Sequence, residues 1–432
     1  MTGESQSSEL DAAWAAWLSG QRDEAIRRCT AILEASSGQL GAALLLVELL
    51  VEAGAKPDDR VSRRLVDAFT ARGDLPRAVV AAHTLTEAGK KKALRGIAAT
   101  FGHGSKRVAD VAPAPPPLPA PEAADLSSVS GAALLERAAE ALAGLDVGEI
   151  DTTRPVPRLP LFGALSPPAL QQLLSVWEIR SLAEGEAAIE EGTEGRDAFV
   201  VVRGHLRAQR GAGDEAVTLA ELGPGALFGE MALVSEAPRA ASVVAAEPVQ
   251  LLVAGRDALE RLAAKTPVIG QQLSEFCRAR MVSNLIRHSP ILAAVGASER
   301  ASLMARFETR RFKPGERLIT HEQEPEGLFL VASGSVKVVG RDGDGDELQI
   351  AELGPGDVVG EISLVLRRPA TADVIATHQT VALELAAEQF REAIREHPSL
   401  LSELYELATK REDEMRTVVA QEALDVEEVV LL

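Results

Sequence analysis

The run Phe228-Gly229-Glu230-Met231-Ala232-Leu233-Val234-Ser235-Glu236-Ala237-Pro238-Arg239-Ala240-Ala241-Ser242-Val243 concentrates the chemistry of this chain. Gly229 lacks a Cβ, so the backbone there can approach a ligand closely. A short helix is expected to begin at Glu230, and its unpaired N–H groups and positive dipole end favour an anion. Arg239 follows at the start of a strand and can set two N–H donors on one phosphate. Glu230 only accepts hydrogen bonds, which suits a sugar hydroxyl rather than an anion. A donor nest, a guanidinium and a hydroxyl acceptor this close together describe a site for a sugar phosphate with one negative charge.

Working outward, the run belongs to an internal repeat. Pro160-Leu161-Phe162 matches Pro290-Ile291-Leu292 at an offset of 130, as do Gly185-Glu186 with Gly315-Glu316, Phe199 with Phe329, and Gly204 with Gly334. Glu221-Leu222-Gly223-Pro224-Gly225 then matches Glu352-Leu353-Gly354-Pro355-Gly356 at 131, and Gly229-Glu230 matches Gly360-Glu361 at 131. One residue has therefore entered the second copy between its fourth and fifth strands. Within each copy, apolar runs at Ala198–Arg203 and Leu328–Ser333 read as buried strands, and Gly204 and Gly334 reverse the chain. Short strands closed by helices predict an antiparallel jelly roll.

The quoted run resembles the phosphate-binding cassette of the cyclic nucleotide-binding domain family. That family includes the regulatory subunits of cyclic-AMP-dependent protein kinase and the catabolite activator proteins. The resemblance covers residues 160–424. It implies a ligand site in copy one at Phe228, Gly229, Glu230, Met231, Ala232, Arg239, Ala240 and Ala241, with Glu230 on the ribose 2′-hydroxyl and Arg239 on the cyclic phosphate. Thr after the arginine favours cyclic GMP in the family. Ala240 stands there in this chain, so the resemblance implies cyclic AMP, with cyclic GMP the lesser candidate. No metal or other cofactor is implied.

Copy two departs from the pattern. Its equivalent site, Gly360, Glu361, Ile362, Ser363, Ala370 and Thr371, has Ala370 in the place of Arg239. A hydrogen bond to a charged group contributes about 1.5–3 kcal/mol, so losing a two-pronged contact weakens binding ten- to hundredfold or more. Asp373 replaces Ser242 and adds a carboxylate nearby. The alternative is that Arg367 or Arg368 reaches in from the loop.

The rest of the chain sorts by composition. Residues 9–100 read as helices, and Gly20-Gln-Arg-Asp-Glu-Ala25-Ile26 is similar to Gly73-Asp-Leu-Pro-Arg-Ala78-Val79. That turn looks like the turn of tetratricopeptide repeats, although the offset of 53 departs from that family's period of about 34 residues. The alternatives are a protein-binding surface and a plain helical bundle. Pro113 to Pro121 holds six prolines and reads as an extended linker. A short helix at 131–142 and a second irregular stretch through Pro160 follow. The expected fold is multidomain: a helical, tetratricopeptide-like region at 1–108, a linker with a short helix at 109–159, and two β jelly-roll domains with flanking helices at 160–288 and 289–432. The last ends in a long helix near 398–424.

The net charge of −19 argues against nucleic acid as the main partner. By segment it is +2 for 1–108, −5 for 109–160, −5 for 161–286 and −11 for 287–432. Lys90, Lys91, Lys92, Arg95, Lys106 and Arg107 form either a solvated face or a docking patch for an acidic partner. Cys29 and Cys277 are too few and too far apart for a disulfide framework, which fits a reducing cytosol. No signal peptide or membrane span is expected. Asp342-Gly-Asp344-Gly-Asp346 starts like a calcium loop but lacks the later glycine and glutamate, so a polar hairpin turn is the better reading.

These features imply a non-enzymatic, cyclic-nucleotide-responsive regulatory protein. Copy one would bind the ligand, and the helices at 256–288 would pass the change to an unidentified protein partner. The alternative is a ligand-independent interaction scaffold built on the same folds. A catabolite-activator type of transcription factor would carry a winged helix-turn-helix after its long helix, where this chain has the acidic Glu422–Leu432. Residues 109–160 contain nothing like the Arg-Arg-x-Ser/Ala inhibitor segment of the kinase regulatory subunits. The long helix is a candidate seam for a homo-oligomer.

Overall fold

Gly20 and Gly73 each end one helix and admit the next. Both hold a left-handed backbone, φ 78° and 81°, and the following N–H closes back onto the preceding helix, Gln21 to the Ala16 carbonyl at 2.8 Å and Asp74 to the Phe69 carbonyl at 2.9 Å. Glycine adopts this conformation without a Cβ penalty. Ala25 and Ala78 are fully buried, so each hairpin closes on a small residue as the sequence similarity predicts. The computed structural model describes residues 4–55, 58–109, 126, 128–211, 213, 216–233, 238–341 and 345–430. The Pro/Ala stretch at 110–125 and Asp342–Asp344 of the calcium-like motif lie outside the described residues.

The first hairpin is α1 (Glu4–Leu18) and α2 (Arg22–Ala35); α3 (Leu40–Glu52) follows. The second is α4 (Asp59–Arg72) and α5 (Leu75–His83), with α6 (Glu87–Phe101) behind it. Next come β1 (Val108–Ala109), α7 (Gly131–Ala143), β2 (Val156–Pro157) and α8 (Pro167–Leu174). Within the stretch expected to be a linker with a short helix, the helix forms as α7, and the described residues 126 and 128–157 pack on the helical region. α7 buries Leu134, Ala138 and Leu142 against α2 and α3, and β2 pairs in parallel with β1. The physical reason is a set of arginines that cap backbone carbonyls of the segment: Arg27 to Val129 at 2.9 Å, Arg64 to Leu145 at 2.7 Å, Arg72 to Val147 at 3.2 Å and Arg107 to Arg154 at 2.9 Å.

Copy one comprises β3 (Glu178–Leu182), β4 (Ala187–Ile189), β5 (Asp197–Arg203), β6 (Leu206–Arg210), β7 (Val217–Leu222), β8 (Leu227–Phe228), β9 (Ser242–Ala245) and β10 (Val249–Gly255), then α9 (Arg256–Lys265) and α10 (Pro267–His288). α11 (Pro290–Ala293) and α12 (Arg300–Met304) lead into copy two: β11 (Glu308–Phe312), β12 (Arg317–Ile319), β13 (Gly327–Ser333), β14 (Val336–Arg341), β15 (Glu347–Leu353), β16 (Val358–Val359), α13 (Glu361–Leu366), β17 (Asp373–Ala376), β18 (Thr380–Ala386), α14 (Ala387–Glu396) and α15 (Pro398–Val430). The sheets of copy one run β3-β10-β5-β8 and β4-β9-β6-β7, and those of copy two run β11-β18-β13-β16 and β12-β17-β14-β15, the same order. The inserted residue lies in the β14–β15 hairpin, where the pair Arg341–Glu347 adds a rung beyond Gly340–Leu348. In copy one, the pair Arg210–Val217 is the outermost.

Alternation on the strands fills each sandwich from both sheets. Phe199, Val201, Leu206 and Val243 form the core of copy one with Leu251; Phe329, Val331, Val336 and Val374 recur in copy two with Ala382. The chain groups into two compact units. One holds residues 1–191, 197–230 and 241–276, and the other holds 192–196, 231–240 and 277–432.

In the first unit the helices are seated on copy one. The Arg203 guanidinium of β5 meets Asp11 and stands 5.0 Å over the Trp14 ring. Gln250 of β10 donates to Glu48 of α3 at 2.8 Å, while the other Glu48 oxygen is enclosed without a partner. Burial, with Glu52 adding to it, pushes the Glu48 carboxyl up to about 8, and the Gln250 bond only partly opposes this. The folded chain therefore keeps a proton that the unfolded chain releases between the ordinary 4.5 and about 8. Stability falls as pH rises through that window, by up to about 1.4 kcal/mol per pH unit, and levels off above it. Glu48→Gln cannot titrate. Its melting temperature should match the parent at pH 4 and exceed it by several degrees at pH 9, in a thermal-unfolding series.

Candidate functional site

In the first unit, the short strand β8 delivers Phe228 to a stack on Phe199, with ring centroids 5.0 Å apart and planes at 12°. Gly229 follows with φ 72°, and Glu230 is 5% exposed. The expected helix begins at Glu230 as a 3₁₀ turn, Glu230–Leu233; residues 234–237 lie outside the described residues. Ala241 is half-buried in the same unit. At the end of the β4–β9 pair, the Ser242 hydroxyl accepts from the Glu191 N–H at 2.9 Å.

The second unit holds Met231, Ala232, Arg239 and Ala240. Met231 packs on a core cluster that includes Met281 and Leu285 of α10 and is also met by Leu364 of α13. Ala232 is buried and Ala240 exposed. The Arg239 main chain is bridged twice: its carbonyl accepts from Gly192 and its N–H donates to Thr193, both at 2.9 Å. Its side chain lies against Gly195, so closely that a Cβ added there would overlap the guanidinium. Gly195 is a site residue that the sequence reading missed, because its contact crosses 44 positions of chain and glycine carries no chemical label.

Copy two keeps this frame. Glu322 donates to the Ala370 carbonyl at 2.8 Å, and Ala370 donates to Gln323 at 2.9 Å, so Ala370 stands where Arg239 stands. Glu322 even takes the left-handed conformation, φ 63°, that Gly192 takes at 78°. Two changes fall on the arginine's place together: Ala370 replaces Arg239, and Pro325 occupies the position of Gly195 at the offset of 130. Both the guanidinium and the glycine it lay against are lost. Arg367 is exposed, Arg368 lies 3.1 Å from Glu412 of α15, and neither lines the cavity beside Ala370. The reading in which one of them reaches in is thereby corrected: the loop turns Arg368 toward α15.

Asp373 repeats the role of Ser242, accepting from the His321 N–H at 3.0 Å. Its charge is met by Arg317 at 3.2 Å and Arg341 at 3.8 Å. Gly360 has φ 90°, and a Cβ there would meet the Gly327 carbonyl oxygen at 2.7 Å. Glu361 is 2% exposed and pairs with Arg411 of α15 at 2.9 Å. Burial pushes the Glu361 carboxyl up, and Arg411 pulls it back. Arg411 also caps the Val358 carbonyl and stands 3.6 Å from Asp357. Charge spacing on the long helix gave no sign of this; only the folded chain sets Arg411 over the second cassette. Ser363 is buried, with Ile362 and Thr371 half-buried around the cavity.

Removing one partner of an enclosed ion pair leaves the other charge uncompensated. Arg411→Ala is expected to destabilise copy two by about 2–3 kcal/mol, discounted for the partial exposure of the guanidinium. Adding Glu361→Gln should recover part of that loss, and a double-mutant cycle by denaturant unfolding reads the coupling.

Among the described residues, no helix is long and apolar enough to cross a membrane, and no group of three or more His, Cys, Asp or Glu could hold a metal ion. Both cysteines are buried, and neither is in a disulfide.

Comparison with known proteins agrees with the repeat. A sequence model described as the cyclic nucleotide-binding domain matches residues 179–266 and again 309–397. The chain is 30% identical over 224 residues to the cAMP-dependent protein kinase type II regulatory subunit of Drosophila melanogaster, covering 52% of this chain and 56% of that protein. It is 29% identical over 231 residues to the cAMP-dependent protein kinase regulatory subunit of Yarrowia lipolytica, covering 54% and 58%. The match thus spans little more than half the length of these relatives. Among solved structures, the regulatory domain of Toxoplasma gondii PKA with cAMP is 24% identical, covering 58% of this chain and 92% of that one with a TM-score of 0.30. With the two sandwiches and their repeated strand order, residues 179–266 and 309–397 are two cyclic nucleotide-binding domains in tandem.

Proposed function

We propose that the chain is a non-enzymatic, cytoplasmic regulatory protein that binds one cyclic nucleotide, cyclic AMP before cyclic GMP, in copy one. The observation that carries this reading is the built place for Arg239. Two backbone bonds fix its main chain, and Gly195 leaves room for its guanidinium, whereas copy two keeps the backbone bonds and loses both Gly195 and Arg239. In this reading Arg239 takes the cyclic phosphate and Glu230 a ribose hydroxyl. Gly229 lets the backbone come close, and Phe228, Met231, Ala232, Ala240 and Ala241 shape the surroundings.

The same reading gives copy two a supporting part. Its cassette at Gly360, Glu361, Ile362, Ser363, Ala370 and Thr371 keeps the fold without holding the nucleotide. The relay to a protein partner is supported by Met231, which follows Glu230 directly and packs into the cluster containing Met281 and Leu285 of α10. A ligand shifts such an equilibrium only by its differential affinity, and about 100-fold corresponds to about 2.7 kcal/mol. The domain boundaries at 108, 159 and 288 belong to this proposal, as does the tetratricopeptide-like character of the N-terminal helices.

The test is titration calorimetry of the full chain with cyclic AMP and with cyclic GMP. One site near micromolar for cyclic AMP is expected. Silence for both nucleotides overturns the reading and leaves the ligand-independent scaffold.

A further inference from the structure

A cavity of about 140 Å³ remains in copy two beside Ala370. Its walls are aliphatic, with Ile319, Val338, Leu353, Val359 and Val374 from the sheets and Met415 from α15. The polar groups at its edge are Glu361, Ser363 and Thr371, besides Arg411 and Glu414 of α15. Arg411 is the one guanidinium lining it among the described residues, and it is engaged by Glu361. Arg317 and Arg341 are engaged by Asp373, and Arg368 faces Glu412. An anion entering here would shed its hydration and meet carboxylates already paired with their own cations. An uncharged ring would not. Apolar cavities of about 150 Å³ hold benzene.

We propose that copy two binds a neutral molecule with one six-membered ring and a hydroxyl group, of the phenol class. The ring fills the aliphatic space, and the hydroxyl donates to the Glu361 carboxylate or to Ser363 at its edge. Binding would add contacts between the sheets and Met415 of α15, so the ligand tightens the hold of α15 on the cassette. The inference rests on the reading that copy two has lost its phosphate contact.

The experiment is saturation-transfer NMR and calorimetry on the full chain with three probes: phenol, benzene and phenyl phosphate. Val338→Phe and Ile350→Phe, the latter at a further lining residue on β15, each place a ring into the cavity from a different strand. Thermal unfolding reports whether each variant stays folded. Saturable phenol binding, at least tenfold tighter than phenyl phosphate and lost in whichever filled variant stays folded, supports the proposal. It is overturned by phenol that fails to saturate, by phenyl phosphate binding as well as phenol, or by phenol binding that survives in both filled variants. A cyclic AMP site that persists in Arg239→Ala, located in copy two, would instead overturn the underlying reading. Absent phenol binding with cyclic AMP still confined to copy one overturns this inference alone.

Discussion

Arg239→Ala is expected to lower the affinity of the full chain for cyclic AMP by a hundredfold or more. The guanidinium can make two parallel charge-assisted hydrogen bonds to one phosphate. Each such bond contributes about 1.5–3 kcal/mol, so the pair amounts to about 3 kcal/mol at the low end. That corresponds to more than two orders of magnitude in Kd. Arg239→Lys keeps the charge and loses the fork, and should fall between the two. The variant keeps the bonds with Gly192 and Thr193, because these are made by the main chain of residue 239, and thermal unfolding measures its effect on folding separately. Unchanged melting together with lost binding separates a ligand contact from a structural one. Affinity that survives Arg239→Ala would place the nucleotide elsewhere. A companion variant, Gly195→Ala, leaves the guanidinium in the chain but puts a Cβ into its place. Its loss of affinity would show that position, as well as charge, matters.

The parts of this fold that could be read in the sequence are those where backbone geometry restricts residue choice. Gly204 and Gly334 both carry positive φ, 78° and 87°, and both lie against the start of the last strand of their copy, at Val249 of β10 and Thr380 of β18, so the turn left the same letter in each copy. The one-residue change of offset mapped correctly onto a hairpin because insertions are tolerated where the extra rung disturbs no core position. The substitution of Arg239 by Ala370 was also legible, since Pro238 and Pro369 align the loops. The backbone pairs at 192–193 and 322–323 then show that the alignment holds in space.

What could not be read depends on contacts between distant segments. Pro325 is an ordinary loop proline until Arg239 is seen to lie on Gly195. Arg27, Arg64 and Arg72 look like solvated charges on helices and Arg107 like one in a turn, yet each caps a carbonyl of the stretch at 129–154 and draws it onto the helical region. Composition cannot distinguish such an arginine from one that faces water. Asp373 looked like an added negative charge at the second site. Arg317 and Arg341 answer it from two neighbouring strands, a pairing set by sheet order rather than by sequence distance.

The strongest consequence concerns the pair of positions that differ between the copies. If Ala370 and Pro325 together account for the lost phosphate contact, reversing both should create a second site. Pro325→Gly with Ala370→Arg is expected to raise the calorimetric stoichiometry for cyclic AMP from one to two. In the Arg239→Ala background the same double change should leave one site, now in copy two. Ala370→Arg alone should add none, because Pro325 stands at the position where Gly195 leaves room for the guanidinium in copy one. Ala370 is 4% exposed, and overfilling a packed position costs about 1–3 kcal/mol. The double variant should therefore melt lower than the parent without nucleotide, and cyclic AMP should recover that loss, since a ligand bound only by the folded state stabilises it. The new site should be weaker than copy one by tenfold or more, because α15 must yield part of the space that Arg411 and Met415 now occupy. A folded double variant with no second site would mean that the loss lies in how α15 covers the cassette. Releasing that helix through Arg411→Ala, and not the arginine itself, would then be the change that opens copy two.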